Sequence, residues 1–490
     1  MQEIVPKISL EEILRTKDEI AKLLGESHEM LQRFEKEYTR LEEVASNDDN
    51  LFSLNAKQAS GMVQKPAVDV STEDIIDRIV RELADQTPVT TIKSDGNLDI
   101  GFMNSDRLYE PVSNEEILAL PKELRPQLTG KLMKVDIDEP SYPAVLSFYA
   151  EYLKEPNTER GRQAYNMFRQ GLDIMDLDLV LYRIINQNRN SASWWMEPLS
   201  IAIKGQSFFR VPETKIAQIP LPLLQLTRCE YGSLTPTTLA IVDRFCQKVF
   251  SLDQKKEYFV KTGTYSSKYD FRNCHVYGEK EVKEIGEYLL FIHFQALQMA
   301  SPLSKPTIVG ASTTCEWVVR EFIPDKENAP TIYHGMPLHT EYRVFADMDT
   351  CRVIGMNPYW DPEVMKKRFG HSSDSNTPDK IHDYIIFKMW EGKMMEKYRK
   401  NADMVREKIE EMLPAFGLKG QWSIDVMQNG DDFYIIDMAL AANSALVECV
   451  PKELLKPVQE TWIPPRIWTD EEKTSFMNEI LKEIELEEKN

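Results

Sequence analysis

The stretch from Gln421 to Leu446, QWSIDVMQNGDDFYIIDMALAANSAL, limits the possible folds more than any other part of this chain. Two short β-type runs, Trp422–Met427 and Phe433–Asp437, flank a turn centred on Asn429-Gly430. Asn-Gly favours the left-handed geometry of a tight turn, so the pair predicts two adjacent antiparallel strands. Each run carries one acidic residue among apolar neighbours, Asp425 in the first and Asp437 in the second. An unpaired carboxylate among Ile, Val and Tyr is costly, and one divalent cation can neutralise two of them. Either aspartate alone also reads as a strand-end cap or an ion-pair partner. Together, and followed by Asn443 and Ser444 in a small-residue loop, they form a candidate metal site.

At 490 residues the chain is too long for one ordinary core, so two or three domains are expected. Its 79 acidic and 59 basic residues give a formal charge of −20, which argues against a general nucleic-acid binder. Six scattered cysteines with no CxxC pair read as reduced thiols, and a cytoplasmic location is expected. The N-terminal residues lack the basic and apolar regions of a secretory signal, and no apolar run approaches bilayer length. No membrane association is therefore expected.

Taken in order, residues 1–45 read as one helix with a heptad pattern, Leu10, Ile13, Ile20, Leu24 and Leu31 among its seam positions. That pattern suits a coiled-coil arm for self-association or a protein partner, or else an amphipathic helix packed on its own chain. Residues 46–70 read as a linker and 71–140 as a small accessory module without a chemical constellation. Residues 141–219 are helical, with Trp194-Trp195 expected in the core. A core domain is expected over 220–460 and a helical tail over 461–490.

Within 220–460, Tyr258-Phe259-Val260 is a buried-strand run ended by Lys261. Gly263, Thr264, Ser266 and Ser267 follow in a loop before Lys268 and Asp270. Lysine at a strand end with a loop of glycine and hydroxyls suits phosphate oxygens, although the GxxxxGK[ST] order is absent and a solvated hairpin is the alternative. Glu279–Ala300 reads as one long helix in which His293 is a packed core residue. Glu316–Pro324 is a strand with Arg320 and Glu321 near its end, where the backbone of Phe322 or Ile323 could face an adenine. In the strand Thr340–Asp347, Glu341 and Arg343 are two apart and share a face. Arg343 there is either a partner of a nearby acid or a charge clamp beside a triphosphate. Trp360–Asp383 suits a flap, and Asn401–Leu413 a helix.

This order of pieces resembles the layout of the ATP-grasp fold from about Leu221 to Val450. It is similar to the cell division cycle protein 123 family, with its Lys strand, Ser-Ser and Lys-Asp loop, Glu-Phe-Arg strand and paired Asp strands. The resemblance implies an α+β fold, with two lobes and antiparallel sheets gripping Mg-ATP behind a helical N-terminal region. It assigns Lys261, Ser266, Ser267 and Lys268 to the phosphates, Glu321, Phe322 and Ile323 to the adenine, and Arg343 to the γ-phosphate. Asp425 and Asp437 would bind Mg²⁺. The chain departs from the pattern at Tyr269, which separates Lys268 from Asp270, and at Ala439, which stands where the family has Asn; either Asn443 supplies the missing ligand from the next loop or metal binding is weakened. The function implied first is an ATP-dependent ligase that activates a carboxylate as acyl phosphate for an amine or other nucleophile, with Arg343 and Arg320 orienting the acid. The second is an ATP-binding assembly factor that docks protein partners. The third is an RNA-ligase-like nucleotidyltransferase with Lys261 as nucleophile, for which Lys261-Thr-Gly263 is one residue short of KxxG.

Overall fold

A computed structural model describes residues 70–102, 112–127, 141–175, 177, 179–300, 309–369 and 378–460. The expected N-terminal heptad helix, nearly all of the linker and the C-terminal tail lie outside these residues, as do positions 370–377 of the expected flap. The described chain is an α+β protein built on antiparallel sheets. Among its helices none is long and apolar enough to cross a membrane.

Among the described residues the strands are β1 (Pro88–Ile92), β2 (Leu98–Phe102), β3 (Phe209–Arg210), β4 (Thr214–Gln218), β5 (Tyr258–Thr262), β6 (His275–Val276), β7 (Glu316–Glu321), β8 (Thr331–Ile332), β9 (Met336–Pro337), β10 (Thr340–Asp347), β11 (Arg352–Pro358), β12 (Gln421–Asn429) and β13 (Asp432–Leu440). One sheet has the order β2-β1-β4-β7-β5-β6, with every neighbour antiparallel. The second has the order β11-β10-β12-β13-β3, antiparallel except for the short β13–β3 pair. The region expected as an accessory module thus contributes β1 and β2 to the Lys261 sheet, and the region expected to be helical contributes β3 and β4.

The hairpin is the expected one, but its turn is displaced. Asn429 still pairs with Asp432, so the loop is Gly430-Asp431, with Gly430 at φ +66°. The register then shifts between Asp425 and Val426: Val426 faces Ile435, while Asp425 faces Asp437. Ile436 is the extra residue of a β-bulge. Side chains alternate across a strand, so without the bulge Asp425 would oppose Ile436 and Asp437 would point to the other face. The bulge brings both aspartates to one face. With Arg343 of β10 opposite Asp425, and Asn357 of β11 opposite Arg343, they form one row across four strands.

Helices cover the sheets. His293 is buried, as expected: Trp317 Nε1 donates to its Nδ1 at 3.3 Å, Nε2 lies 3.2 Å from Ser312 O, and burial pushes its pKa down to about 3. Trp195 is fully buried, whereas Trp194 stays 36% exposed, so only one of the tryptophan pair is core. The helix expected over Glu279–Ala300 is two, Glu279–Lys283 and Ile285–Ala300. The break follows from packing: Asp243, on the helix Pro236–Phe250, accepts the N–H of Glu287 at 3.0 Å and so satisfies a donor of the new first turn. The helix expected over Asn401–Leu413 is the end of a longer one, Pro378–Phe416. Part of the expected flap is itself the helix Pro362–Phe369.

Gly286 lets the helices Pro236–Phe250 and Ile285–Ala300 touch backbone to backbone. A Cβ there would sit 2.6 Å from Val242 O and 2.8 Å from Asp243 N, atoms that cannot swing aside. Gly286→Ala is therefore expected to destabilise the fold by about 1–3 kcal/mol despite alanine's better helix propensity. Urea unfolding of wild type and variant measures it, and a gain in stability would contradict this packing.

Candidate functional site

The two large sheets meet along the row of acids. Lys261 on β5 and Arg320 on β7 share a face of the first sheet, because Lys261 opposes Val318 and Phe259 opposes Arg320. Both reach across to β13. Lys261 Nζ lies 3.0 Å from each carboxylate oxygen of Asp437, and Arg320 donates to the carbonyl of the bulged Ile436 at 2.6 Å. Arg343, on the second sheet, grips Asp425 with two bonds of 2.8 and 2.7 Å and also donates to Ala445 O at 3.3 Å.

Burial sets the electrostatics. It lowers the Lys261 pKa against the pull of Asp437, and lowers that of Arg320 likewise. For Arg343 burial acts in the same direction, but the Asp425 carboxylate outweighs it and the pKa is raised. Lys268 donates to the Tyr359 hydroxyl and lies 4.1 Å above its ring, while Arg343 lies 4.5 Å from the same ring. One aromatic ring thus contacts two cations by cation–π attraction. Against its own burial, Lys268 has a raised pKa through Tyr359 and Glu341. Glu341 is buried, accepts Trp360 Nε1 at 3.1 Å, and has its pKa raised by burial. Tyr359 and Trp360 were not singled out in the sequence. Their partner Lys268 lies ninety-one residues from Tyr359, so no local spacing marks them.

Two cavities meet here. One, about 120 Å³, is lined by apolar side chains including Phe259, Phe322, Met336 and Met427, with Glu321, Ile323 and Arg320 along it. The other, about 1000 Å³, is lined by Arg343, Tyr359 and the loop Ala439–Val447. Ser266, Lys268, Asp425 and Asp437 line both and form the junction.

The remaining expected residues are placed as follows. Ser267 is buried, bonded to Gln295 and accepting from Asn273 Nδ2 at 2.8 Å, so its hydroxyl is committed inside the protein. The Gly263 N–H donates to Glu316 O, and a Cβ on Gly263 would lie 2.8 Å from Glu316 Oε2. Gly263 thus serves a close approach more than a phosphate cradle. Glu321 N–H donates to Glu213 O and Phe322 N–H to Glu257 O, so neither can donate to a base. Arg320 Nε also donates to Thr214 Oγ1 of its own sheet at 3.3 Å, and with its bond to Ile436 O this makes the arginine a tie between the sheets. Asn443 Oδ1 accepts from Asn190 Nδ2 at 3.1 Å, and Asn190 Oδ1 accepts the Leu440 N–H at 2.8 Å.

No group of three or more His, Cys, Asp or Glu residues is set to hold a metal by itself among the described residues. Asp425 and Asp437 do fit the usual manner of Mg²⁺, which takes one or two carboxylates and completes its octahedron with phosphate oxygens and water. Four cations (Lys261, Lys268, Arg320 and Arg343) around three carboxylates (Asp425, Asp437 and Glu341) also leave room for an anion.

Glu341 offers a test of these electrostatics. Its folded pKa lies above the ordinary 4.5, so its carboxyl favours folding at low pH and that contribution is lost as pH rises through the raised value. Glu341→Gln keeps an acceptor for Trp360 but cannot ionise. The variant should gain stability relative to wild type as pH rises from about 4.5 upwards. Urea unfolding across that window measures the difference, and parallel pH–stability curves would refute it.

No protein-family profile and no curated protein matches this chain. Among solved structures it is similar to C-terminally truncated Cdc123 from Schizosaccharomyces pombe, at 12% identity and a TM-score of 0.30, covering 56% of this chain and 95% of that one. It is similar also to Cdc123 from the same organism, at 14% identity and a TM-score of 0.30, covering 55% of this chain and 93% of that one. At this level of superposition the likeness carries no argument about this chain, and any function rests on the chain's own geometry.

Proposed function

We propose that this chain binds Mg-ATP between its two large sheets in the manner of an ATP-grasp protein. The observation that carries the reading is the junction of an apolar cavity and a larger one of mixed polar and apolar lining at Ser266, Lys268, Asp425 and Asp437. A nucleotide needs this sequence of environments: apolar walls for the base, cations for phosphate oxygens, and carboxylates for the metal that accompanies them. The apolar part is smaller than the ~300–1,000 Å³ of typical ligand clefts, so base entry would part the sheets. Asp425, Asp437 and phosphate oxygens would hold Mg²⁺, which supplies neutralisation of triphosphate charge. Lys261, Lys268 and Arg343 would exchange aspartate or Tyr359 for phosphate oxygens.

A carboxylate-activating ligase is a second reading, favoured by the size of the larger cavity, which extends well past the junction along the loop Ala439–Val447. Nucleotidyl transfer through Lys261 is disfavoured, because that amine is already held by both oxygens of Asp437. Release of ADP and phosphate only when a small acid and an amine are supplied would mark a ligase. Tight ATP binding without such release fits an assembly factor that uses ATP to hold a partner-binding shape.

Calorimetric titration with ATP, with and without Mg²⁺, tests the common part. Lys261→Ala should weaken binding about tenfold to a hundredfold, the loss of roughly 1.5–3 kcal/mol for a charge-assisted contact. Asp437→Asn should abolish the Mg²⁺ dependence more than it lowers affinity. Thermal melts run alongside separate a lost contact from a lost fold. Unchanged affinity and Mg²⁺ dependence in both variants would end the proposal.

A further inference from the structure

The larger cavity continues beyond the acid row to a wall formed by the helix Glu159–Ile174 and the turn before the helix Ala192–Lys204. Two half-buried arginines, Arg162 and Arg189, line this end. Arg189 stacks 5.2 Å over the ring of the fully buried Trp422 and donates to Lys419 O. The stack and the backbone bond fix the guanidinium, leaving its remaining N–H groups for a ligand.

Unlike Arg343 and Lys456 on the same cavity, these two arginines have no counter-ion among the described residues. Arg343 has Asp425, and Lys456 has Asp347 and Asp349. Neither Arg162 nor Arg189 has a carboxylate within ion-pair distance among the described residues. Burial lowers the Arg189 pKa against the pull of Glu460, Tyr165 and Asp349. A guanidinium held against a flat ring, partly desolvated and without an acid, is ready to receive one.

We propose that this end of the cavity is a second binding site, separate from the nucleotide junction, that takes carboxylate groups on Arg162 and Arg189. The ligand is an acidic polypeptide segment or a free polycarboxylate. Each carboxylate group carries a single charge, so Glu159 and Asp349, which also line the cavity, repel each such group less than they would a phosphate dianion. The planar fork of a stacked arginine also matches the two oxygens of a carboxylate. The site is built without Lys261, Asp425 or Asp437, so it stands whether or not ATP binds.

Calorimetry on the intact chain, with citrate and with a hexaglutamate peptide as separate titrants, tests the proposal. At least one should bind. Binding of the peptide alone identifies a polypeptide ligand, and binding of citrate alone a small acid. Arg189→Gln and Arg162→Glu should each weaken that binding by about tenfold or more, with ATP titrations of the same proteins unchanged. Arg189→Gln also removes the stack on Trp422; Arg162→Glu reverses a charge on a half-exposed helix face and keeps the test valid if the first variant unfolds. No binding of either titrant at millimolar concentration, or binding that survives both substitutions, would overturn the site.

Discussion

One extra residue in a strand organises the centre of this protein. Ile436, bulged out of β13, turns Asp437 to the same face as Asp425 and presents a carbonyl to Arg320 on the other sheet. Lys261 makes the second crossing, to Asp437 itself. Both links between the sheets at this point therefore end on two consecutive residues of one bulge. Bulges recur where a sheet must re-aim a side chain. Here the re-aimed carboxylate is both a cross-sheet anchor and a candidate ligand.

The charges near this point are in close balance. A buried ion pair contributes little net stability, because desolvation offsets much of the attraction, but removing one partner leaves a costly uncompensated charge. Arg343–Asp425 and Lys261–Asp437 are pairs of this kind, with Asp437 the more exposed member at 41%. On the proposed reading, an incoming polyanion with its metal would trade partners without leaving any of these groups unpaired. Tyr359 fits the same logic: its ring contacts Lys268 and Arg343 now, and both contacts are weak enough to yield to phosphate. At the far end of the cavity Arg162 and Arg189 lack that balance, which is why a second ligand belongs there rather than a second structural pair.

Much of the local structure was legible from residue order. The hairpin around Asn429-Gly430, the Lys261 strand, the Glu341-Tyr342-Arg343 strand and the burial of His293 all follow from alternation, turn residues and apolar surroundings. These are short-range properties, fixed by φ/ψ preferences and by which side chains must leave water. Sequence also supplied the two aspartates and the cations as chemically marked positions.

What only the tertiary structure decided was their pairing. Strand alternation in the sequence does not reveal a bulge, since one extra residue is invisible until the partner strand's register is known. Arg320 bonds the carbonyl of Ile436 on the other sheet, and Ser267 bonds Gln295 and Asn273, partners that residue order does not mark. Tyr359 meets Lys268, and Trp422 meets Arg189, across separations that no local pattern encodes. The amino-acid sequence determined which groups carry charge and which segments form strands. The packing of two sheets against each other decided which charges are spent on each other and which remain for a ligand, because a buried charge takes whatever partner the fold brings within reach.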